Sequence, residues 1–204
     1  MTEPKRRVGR PSKAPQRIDD VLDAFTRCVA RYGLDGTTLQ RIADEAGMAR
    51  GHIRHYAGNR DQLRELFRQR IISRYADRAA QLAAEGDPGS RAEHLVGFLF
   101  GSEVHLDDNA AIDALLAAAR FDDALREQIR VVYSGLETLI AQALADDYPG
   151  RSGAICENAA YQILALAYGH WTLSEIGFPA ERVRSAHRLA LAVIAEVAIT
   201  RPTE

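Results

Sequence analysis

The sequence predicts an all-α fold, and three observations lead to this prediction. Apolar residues recur at helical spacing from residue 18 onward, no stretch alternates convincingly with period two, and glycine and proline lie largely between the periodic segments. A chain of 204 residues with 47% hydrophobic content can pack one or two cores. We expect a flexible basic arm at 1–17, one domain at 18–70 and a second helical domain at 71–204.

The N-terminal domain is predicted to open with two helices. A second helix is expected to start at Thr37, since its hydroxyl and Gln40 have the spacing of a capping box, and Gly47 is expected to stop it. The first helix ends in the segment 33–36, and its apolar face consists of Ile18, Val21, Leu22, Phe25, Val29 and Tyr32.

A long helix is predicted from Asn59 to about Ala84. Asn59 and Gln62 again have capping-box spacing, and the segment EGDPGS at 85–90 is a loop signal. At 1.5 Å per residue this helix is about 39 Å long, so we expect it to run from one domain into the next. The remaining helices are predicted at about 90–105, 110–119, 122–146, 152–176 and 180–199.

Charge is distributed unevenly along the chain. Residues 1–75 hold 16 Lys and Arg against 9 Asp and Glu, whereas residues 76–204 hold 10 against 19. The arm MTEPKRRVGRPSKAPQR has no apolar period, so we expect it to be flexible. Because it is rich in Lys and Arg, we expect it to add affinity for DNA through phosphates or a minor groove. The overall net charge of −2 therefore conceals a basic part suited to a polyanion.

Several features bear on the cellular compartment. No run of 18 apolar residues is present, and no apolar stretch follows the basic N-terminus, so neither a membrane span nor a secretory signal is expected. Cys28 and Cys156 lie far apart in helical patterns and are expected to be reduced and buried. Together these features favour a cytoplasmic protein.

The segment IADEAGMARGHIRHYAGNR, at 42–60, meets the requirements of a helix-turn-helix. Ala43 is a small residue where the two helices would cross, and Gly47 tolerates the left-handed geometry of the turn. A short helix is predicted to follow from about Arg50 to Tyr56. Apolar residues at suitable spacings would hold the helices together: Ile42, Ala46, Met48, Ile53 and the ring of Tyr56.

The outer face of this short helix is suited to a DNA groove. It would carry Arg50, Gly51, His52, Arg54 and His55. Arginine bridges guanine O6 and N7, histidine donates to purine N7 or phosphate, and Gly51 allows close backbone approach. Two alternatives are ordinary solvated side chains and a metal held by His52 and His55, although a third ligand is missing on that helix.

The segment TTLQRIADEAGMARGHIRHYAGNRDQL, at 37–63, resembles the TetR family of transcriptional regulators. Members of that family show a pattern like T-x-x-x-I-A-x-x-A-G-V-S-x-G-x-L-Y-x-Y-F-x-x-K-x-x-L. The resemblance covers about residues 15–70, with Met48, Ile53 and Arg60 standing for Val, Leu and Lys. Identical positions are Thr38, Ile42, Ala43, Ala46, Gly47, Gly51, Tyr56 and Leu63.

Three residues depart from the pattern. Ala49 replaces serine, which removes the side-chain cap of the recognition helix at a cost of about 1 kcal/mol. Arg54 replaces the first tyrosine with a cation, and Ala57 replaces an aromatic residue. These departures concern the operator sequence rather than the capacity to bind DNA.

The resemblance implies roles for individual residues. Thr37, Thr38 and Arg60 would anchor phosphates of double-stranded operator DNA. It also implies a homodimer and a small-molecule effector, with no cofactor, no membrane partner and no enzymatic activity. The residues at the groove would be Arg50, Gly51, His52, Arg54, His55 and Tyr56.

The last two predicted helices carry apolar stripes that favour a four-helix interface between two chains. The alternative is that both stripes only fill the core of their own chain. The first stripe contains Val183, Ala186, Ala190, Val193, Ile194 and Val197. The second contains Ile155, Ala159, Ile163, Leu166 and Ala167.

Candidates for an effector pocket are aromatic side chains of the second domain. Each is also suited to an ordinary core, and Tyr168 and Trp171 are favoured because large rings with a polar atom suit a ligand wall. The candidates are Phe98, Phe100, His105, Phe121, Tyr133, Tyr161, Tyr168, His170 and Trp171. A metal held by Glu103, His105, Asp107 or Asp108 is less favoured than a solvated loop.

The sequence lacks the signatures of common enzymes. It has no phosphate-cradling glycine loop, no zinc-type Cys and His spacing and no strand for a nucleophile elbow. The prediction is therefore a ligand-responsive regulator, with a DNA-binding architectural protein as the alternative and a small helical enzyme third. Sequence-specific binding with small-molecule release would distinguish the regulator from the architectural protein.

Overall fold

The computed structural model describes residues 14–85, 87–101 and 106–200. Within these residues the backbone forms nine α-helices and no strand, so the predicted all-α fold is confirmed. The chain separates into two compact units, with the boundary after Arg68.

The first unit contains the predicted helix-turn-helix. Helix α1 starts at Ala14, so the last four residues of the predicted basic arm are helical, and residues 1–13 of that arm lie outside the described residues. The helical backbone of α1 is interrupted at Gly33, where φ is 69°. Helix α1 packs against both α2 and α3. The helices are α1 (Ala14–Gly36), α2 (Leu39–Glu45), α3 (Arg50–Ala57) and the beginning of α4 (Arg60–Glu85).

Of the six apolar residues predicted for one face of α1, four are buried, Ile18 is half-buried and Tyr32 is exposed. Phe25 stacks on Phe67 with ring centroids 4.3 Å apart. Tyr32 is predicted to share this face, but it is 41% exposed. That prediction is wrong: the Tyr32 ring lies at the protein surface, where the Arg41 guanidinium is 4.2 Å from its centre. The buried apolar residues of the first unit are Val21, Leu22, Ala24, Phe25, Cys28, Val29, Ile42, Ala43, Ile53, Ala57, Leu63 and Phe67.

The second unit packs five further helices with the rest of α4. Helix α7 contacts α5, α6 and α8, and α9 contacts α5 and α8. Two predicted boundaries are wrong, because α5 ends at Leu99 and α6 already begins at Leu106. The helices are α5 (Arg91–Leu99), α6 (Leu106–Ala119), α7 (Asp123–Asp147), α8 (Gly153–Glu175) and α9 (Ala180–Ile199).

The apolar stripes of α8 and α9 belong to the core of their own chain. Their buried members lie in one cluster with residues of α5 and α7, so the prediction that these stripes face a partner chain is wrong. The period of the stripes identifies a buried face but not what covers it. The members fully buried here are Ala159, Ile163, Ala167, Ala190, Ile194 and Val197.

Both cysteines are buried and free, as predicted. Burial raises the pKa of the Cys28 and Cys156 thiols. Among the described residues, no helix is long and apolar enough to cross a membrane.

Candidate nucleic-acid interface

The turn between α2 and α3 has the predicted geometry. Gly47 adopts φ 62°, which suits glycine because other residues are strained there. The Met48 amide donates to the Ala43 carbonyl over 2.9 Å, which closes the turn. Ala43 and Ile42 are buried at this crossing, so the small residue lies where a larger one would push the helices apart.

Helix α3 has one buried and one exposed face. Ile53 and Ala57 are buried, while Tyr56 is half-buried with its ring against that of His55. The remaining side chains project to solvent, and the helix contains no acidic residue. All five residues predicted for the outer face are exposed: Arg50, Gly51, His52, Arg54 and His55. A cationic, donor-rich surface of this kind suits base edges and phosphates.

The predicted role of Thr37 is wrong. Helix α2 begins at Leu39, and it is Thr38 whose hydroxyl accepts the Arg41 amide as the N-cap. Thr37 is 4% exposed, and its hydroxyl donates to the Gly33 carbonyl over 2.7 Å. Thr37 therefore offers no hydroxyl for a phosphate, and Gln40 donates to Asp44 instead of completing a capping box. The exposed Thr38 remains available beside the candidate interface.

The start of α4 has the predicted capping box. The Asp61 and Gln62 amides donate to Asn59 Oδ1, and the Asn59 amide donates to Gln62 Oε1 over 2.9 Å. Gly58 precedes this box with φ 77°, and a Cβ there would collide with the Gln62 side chain. Arg60, the first residue of α4, is exposed.

Ion pairs connect α1 to the helix before the turn. Arg27 Nε lies 2.6 Å from Glu45 Oε1, and Arg31 lies 3.7 Å from the same carboxylate. The Arg27 guanidinium holds the pKa of Glu45 below its ordinary value. Arg41 also donates to the Gly36 carbonyl. These contacts fix α2, and with it the turn that positions α3.

The missing cap of α3 leads to a stability prediction. Ala49 has the extended backbone of an N-cap, at φ −69° and ψ 140°, but its side chain makes no capping hydrogen bond. Ala49→Ser should stabilise the helix by about 1 kcal/mol, because the serine hydroxyl can accept an amide of the first turn. Thermal unfolding should then show a midpoint about 2–4 °C higher. Ala80→Ser, on the exposed side of α4, is the control and should not raise the unfolding midpoint.

Within the described residues, the side chains predicted for an effector pocket lie in different surroundings. Phe121 is 93% exposed in the turn after α6, so its assignment to a pocket wall is wrong. Tyr161 and Tyr168 are exposed on α8, and the Trp171 indole donates to the Leu99 carbonyl over 2.7 Å. Phe98 contacts Arg78, whereas His105 lies outside the described residues.

A shallow cavity of about 200 Å³ opens between α8 and α9. Leu173, Phe178 and Arg182 are among the residues that line it, and of the predicted pocket residues only His170 lies there. The His170 ring packs against that of Phe100. Burial, together with His187, lowers the pKa of His170, which favours the neutral imidazole.

One polar cluster has no counterpart among the sequence predictions. Asn109 and Asp113 lie one turn apart on α6, Tyr75 donates to Asn109, and Glu175 at the end of α8 interacts electrostatically with Asp113. Tyr133, predicted for the pocket, lies near this cluster, since Asp113 and Tyr75 interact with it electrostatically. The only local signal is a charged residue inside the apolar stretch AAIDALLAAA at 110–119. Among the described residues, no group of three metal-ligating side chains forms here or elsewhere.

Comparison with known proteins agrees with this geometry. The family of bacterial regulatory proteins named tetR matches residues 21–67, which contain the helix-turn-helix. The HTH-type transcriptional repressor AcnR of Corynebacterium jeikeium is 32% identical over 122 residues, covering 56% of this chain and 62% of that protein. The HTH-type transcriptional regulator BetI of Burkholderia ambifaria is 33% identical over 86 residues, covering 41% and 44%.

Solved structures show the same fold over nearly the whole chain. A TetR transcription regulator from Haloarcula marismortui superposes with a TM-score of 0.74 at 18% identity, covering 89% of this chain and 98% of that one. A transcriptional regulator from Rhodococcus gives 0.70 at 21% identity, covering 91% and 99%. At such identities the likeness establishes the fold alone.

The family model, the curated relatives and the fold agree: residues 21–67 match the TetR family, and the chain has the fold of solved members of that family. Its relatives are named as regulators and not as enzymes. The chain spans about half the length of the curated relatives it matches.

Proposed function

We propose that this protein is a transcriptional regulator, most simply a repressor, that reads operator DNA with α3. The observation that carries this proposal is the exposed, acid-free face of α3 held by the buried crossing with α2. The first unit would be the DNA-binding domain and the second the effector-binding and dimerisation domain. Such a protein acts in the cytoplasm.

The residues proposed to contact DNA divide into two roles. Arg50 and Arg54 would bridge guanines, with Gly51 allowing the backbone close to the base pairs. Thr38 and Arg60 flank α3 and would hold phosphates, which fixes the register without reading sequence. The exposed imidazoles and the half-buried Tyr56 would complete the surface.

We infer a homodimer, because two recognition helices must lie about 34 Å apart to enter successive major grooves. The stripes predicted for the interface are internal, so the partner would cover the other face of α8 and α9 instead. Large apolar side chains of α8, α9 and the turn between them are exposed among the described residues: Tyr161, Tyr168, Leu173, Ile176, Phe178 and Leu189. Burying such a face is the usual driving force of subunit association.

Control by a small molecule is the remaining part of the proposal. A ligand shifts the equilibrium only if it binds the DNA-incompetent state more tightly than the competent one. A coupling of about 1–3 kcal/mol would lower operator affinity by roughly 5- to 150-fold. Helix α4 is continuous across the unit boundary, so both units share it.

Selection of bound duplexes from a random pool tests the proposed function. We expect enrichment of an inverted repeat with half-site centres about one helical turn, or a multiple of it, apart. The selected duplex should bind roughly 10³-fold or more tighter than random DNA at the same salt concentration. Binding without enrichment would instead indicate an architectural protein, and no binding would contradict both functions.

A further inference from the structure

The strongest unassigned feature of the second unit is a pair of adjacent carboxyl groups. Asp113, half-buried on α6, and Glu175, exposed at the last residue of α8, are close enough to interact electrostatically and to share a proton. Burial raises the pKa of Asp113, and burial together with Asp113 raises the pKa of Glu175 to about 7. A carboxylate in the last helical turn is also disfavoured by the helix dipole. Ionisation of both carboxyl groups at the same time is therefore unfavourable.

No described cation compensates this pair. Within the described residues neither carboxyl forms an ion pair, and the Arg74 guanidinium is engaged 3.1 Å from Asp108. Two adjacent carboxylates repel each other, and a bound positive charge would relieve this repulsion. Three metal-ligating side chains do not gather here among the described residues.

Asn109 provides a second, independent observation that points to a ligand-binding site here. It is 6% exposed, and its Nδ2 finds no acceptor within the part of the chain that the structure describes. Its Oδ1 is already taken by the Tyr75 hydroxyl. Because Asn109 and Asp113 are four residues apart on α6, they lie on the same helix face. A buried amide donor without an acceptor is costly, and a ligand oxygen beside the carboxyl pair would satisfy it.

Two tyrosines complete the surroundings of the pair. Burial is the main cause that raises the pKa of both Tyr75 and Tyr133, so each phenol stays protonated and neutral. Neutral phenol rings attract cations through their faces and donate hydrogen bonds from their hydroxyls. Tyr75 interacts electrostatically with both carboxyl groups and Tyr133 interacts with Asp113, so α4, α6, α7 and α8 all contribute to the surroundings of the pair.

We propose that Asp113, Glu175 and Asn109 bind an organic cation that carries an ammonium or amidinium-type group and a hydrogen-bond acceptor. The positive group would lie between the two carboxylates, and the acceptor would take the Asn109 Nδ2 protons. Identification of this cation as the effector rests on the proposed function, whereas its binding to the protein does not.

Calorimetry on the full-length chain without DNA tests the binding. Tyramine is the probe, and tyrosol and 4-hydroxyphenylacetate are its matched neutral and anionic analogues. We expect tyramine to bind, tyrosol to bind at least about tenfold more weakly, and the anion not to bind, because only the cation forms charge-assisted hydrogen bonds. If tyramine and the amidinium compound 4-hydroxybenzamidine, whose hydroxyl can also accept a hydrogen bond, both bind no better than tyrosol, the proposal is overturned.

Isosteric variants locate the site. Asp113→Asn and Glu175→Gln should each raise the dissociation constant of tyramine about tenfold or more, since each removes one carboxylate. Glu157→Gln, at an exposed position of the same helix α8, should leave it unchanged. Equal affinity of all three variants would place the binding elsewhere and overturn the assignment.

The proton on the pair provides a separate readout. Tyramine should displace it, so affinity should rise from pH 6 to pH 8, and the heat of binding should depend on the ionisation heat of the buffer. The raised pKa of Glu175 means that the folded state binds the proton more tightly than the unfolded state. Stability should therefore fall as pH rises from about 4.5 to about 7, and Glu175→Gln should remove this fall without unfolding the chain.

A further experiment with operator DNA present separates the two proposals. Release of DNA by tyramine in the wild type, but not in Glu175→Gln, would identify the cation site as the effector site. Tyramine binding without DNA release would support the cation site and contradict its role as the effector site.

Discussion

Phe67→Ala is expected to lower the free energy of unfolding of the first unit by about 3–5 kcal/mol. Phe67 is 0% exposed and stacks on Phe25 at a centroid distance of 4.3 Å. Its removal leaves a cavity between α1 and α4, and it also removes a ring pair that is worth about 0.5–1.5 kcal/mol beyond its buried area. DNA binding should be lost with the fold, since α1 packs against α2 and α3.

Urea unfolding followed by circular dichroism measures this effect. Phe121→Ala is the matched control, since Phe121 is 93% exposed and its removal should change stability by less than about 0.5 kcal/mol. A destabilisation below about 1 kcal/mol for Phe67→Ala would contradict the packing described for the first unit.

Arg50→Ala and Arg54→Ala should each weaken binding to the selected operator by about 1–3 kcal/mol for each guanine that is bridged. Both side chains are exposed on α3, so neither removal should disturb the core. In a dimer each substitution acts at both half-sites. Binding to random duplexes should fall much less, because that binding depends on phosphate contacts.

Arg60→Ala is the matched comparison, since it removes an exposed arginine that would contact phosphate rather than a base. It should weaken selected and random duplexes alike, and the slope of log affinity against log salt should fall by about 0.9 for each phosphate that is no longer neutralised. Fluorescence anisotropy across a salt series measures both quantities. An equal decrease of specificity in all three variants would refute the division between base and phosphate contacts.

The helix-turn-helix can be predicted because its requirements are local. Ala43, Gly47 and Ile53 lie within eleven residues of one another, and their size, backbone freedom and apolarity are properties of the residues themselves. The capping box of Asn59 and Gln62 is predictable for the same reason.

Predictions that depend on tertiary contacts are less successful. Thr37 and Thr38 both fit a cap, and only the Gly33 carbonyl, brought near by the break in α1, decides which hydroxyl is engaged. Similarly, the side chain that packs on the Tyr32 ring, Arg41, comes from the next helix. A periodic pattern places side chains on a face, but the neighbour that covers this face comes from elsewhere in the chain.

The carboxyl pair is not predictable for a further reason. Asp113 and Glu175 are more than sixty residues apart, and neither has a motif around it. Their proximity arises from the packing of α6 and α8 around α7. The residues predicted for a pocket are mostly aromatic, whereas the proposed cation site consists of two acids and an amide whose nitrogen has no acceptor among the described residues.

The central claim, that α3 reads guanine in the major groove, is tested most directly by removing the guanine N7 atom. Each guanine of the selected operator is replaced in turn by 7-deazaguanine, and the dissociation constants of wild type, Arg50→Ala and Arg54→Ala are measured. We expect one replacement to weaken the wild type by about 1 kcal/mol or more and to have almost no further effect on the variant without the arginine that binds this guanine. If every replacement weakened the wild type and both variants equally, neither arginine would contact guanine N7, and the claim would be contradicted.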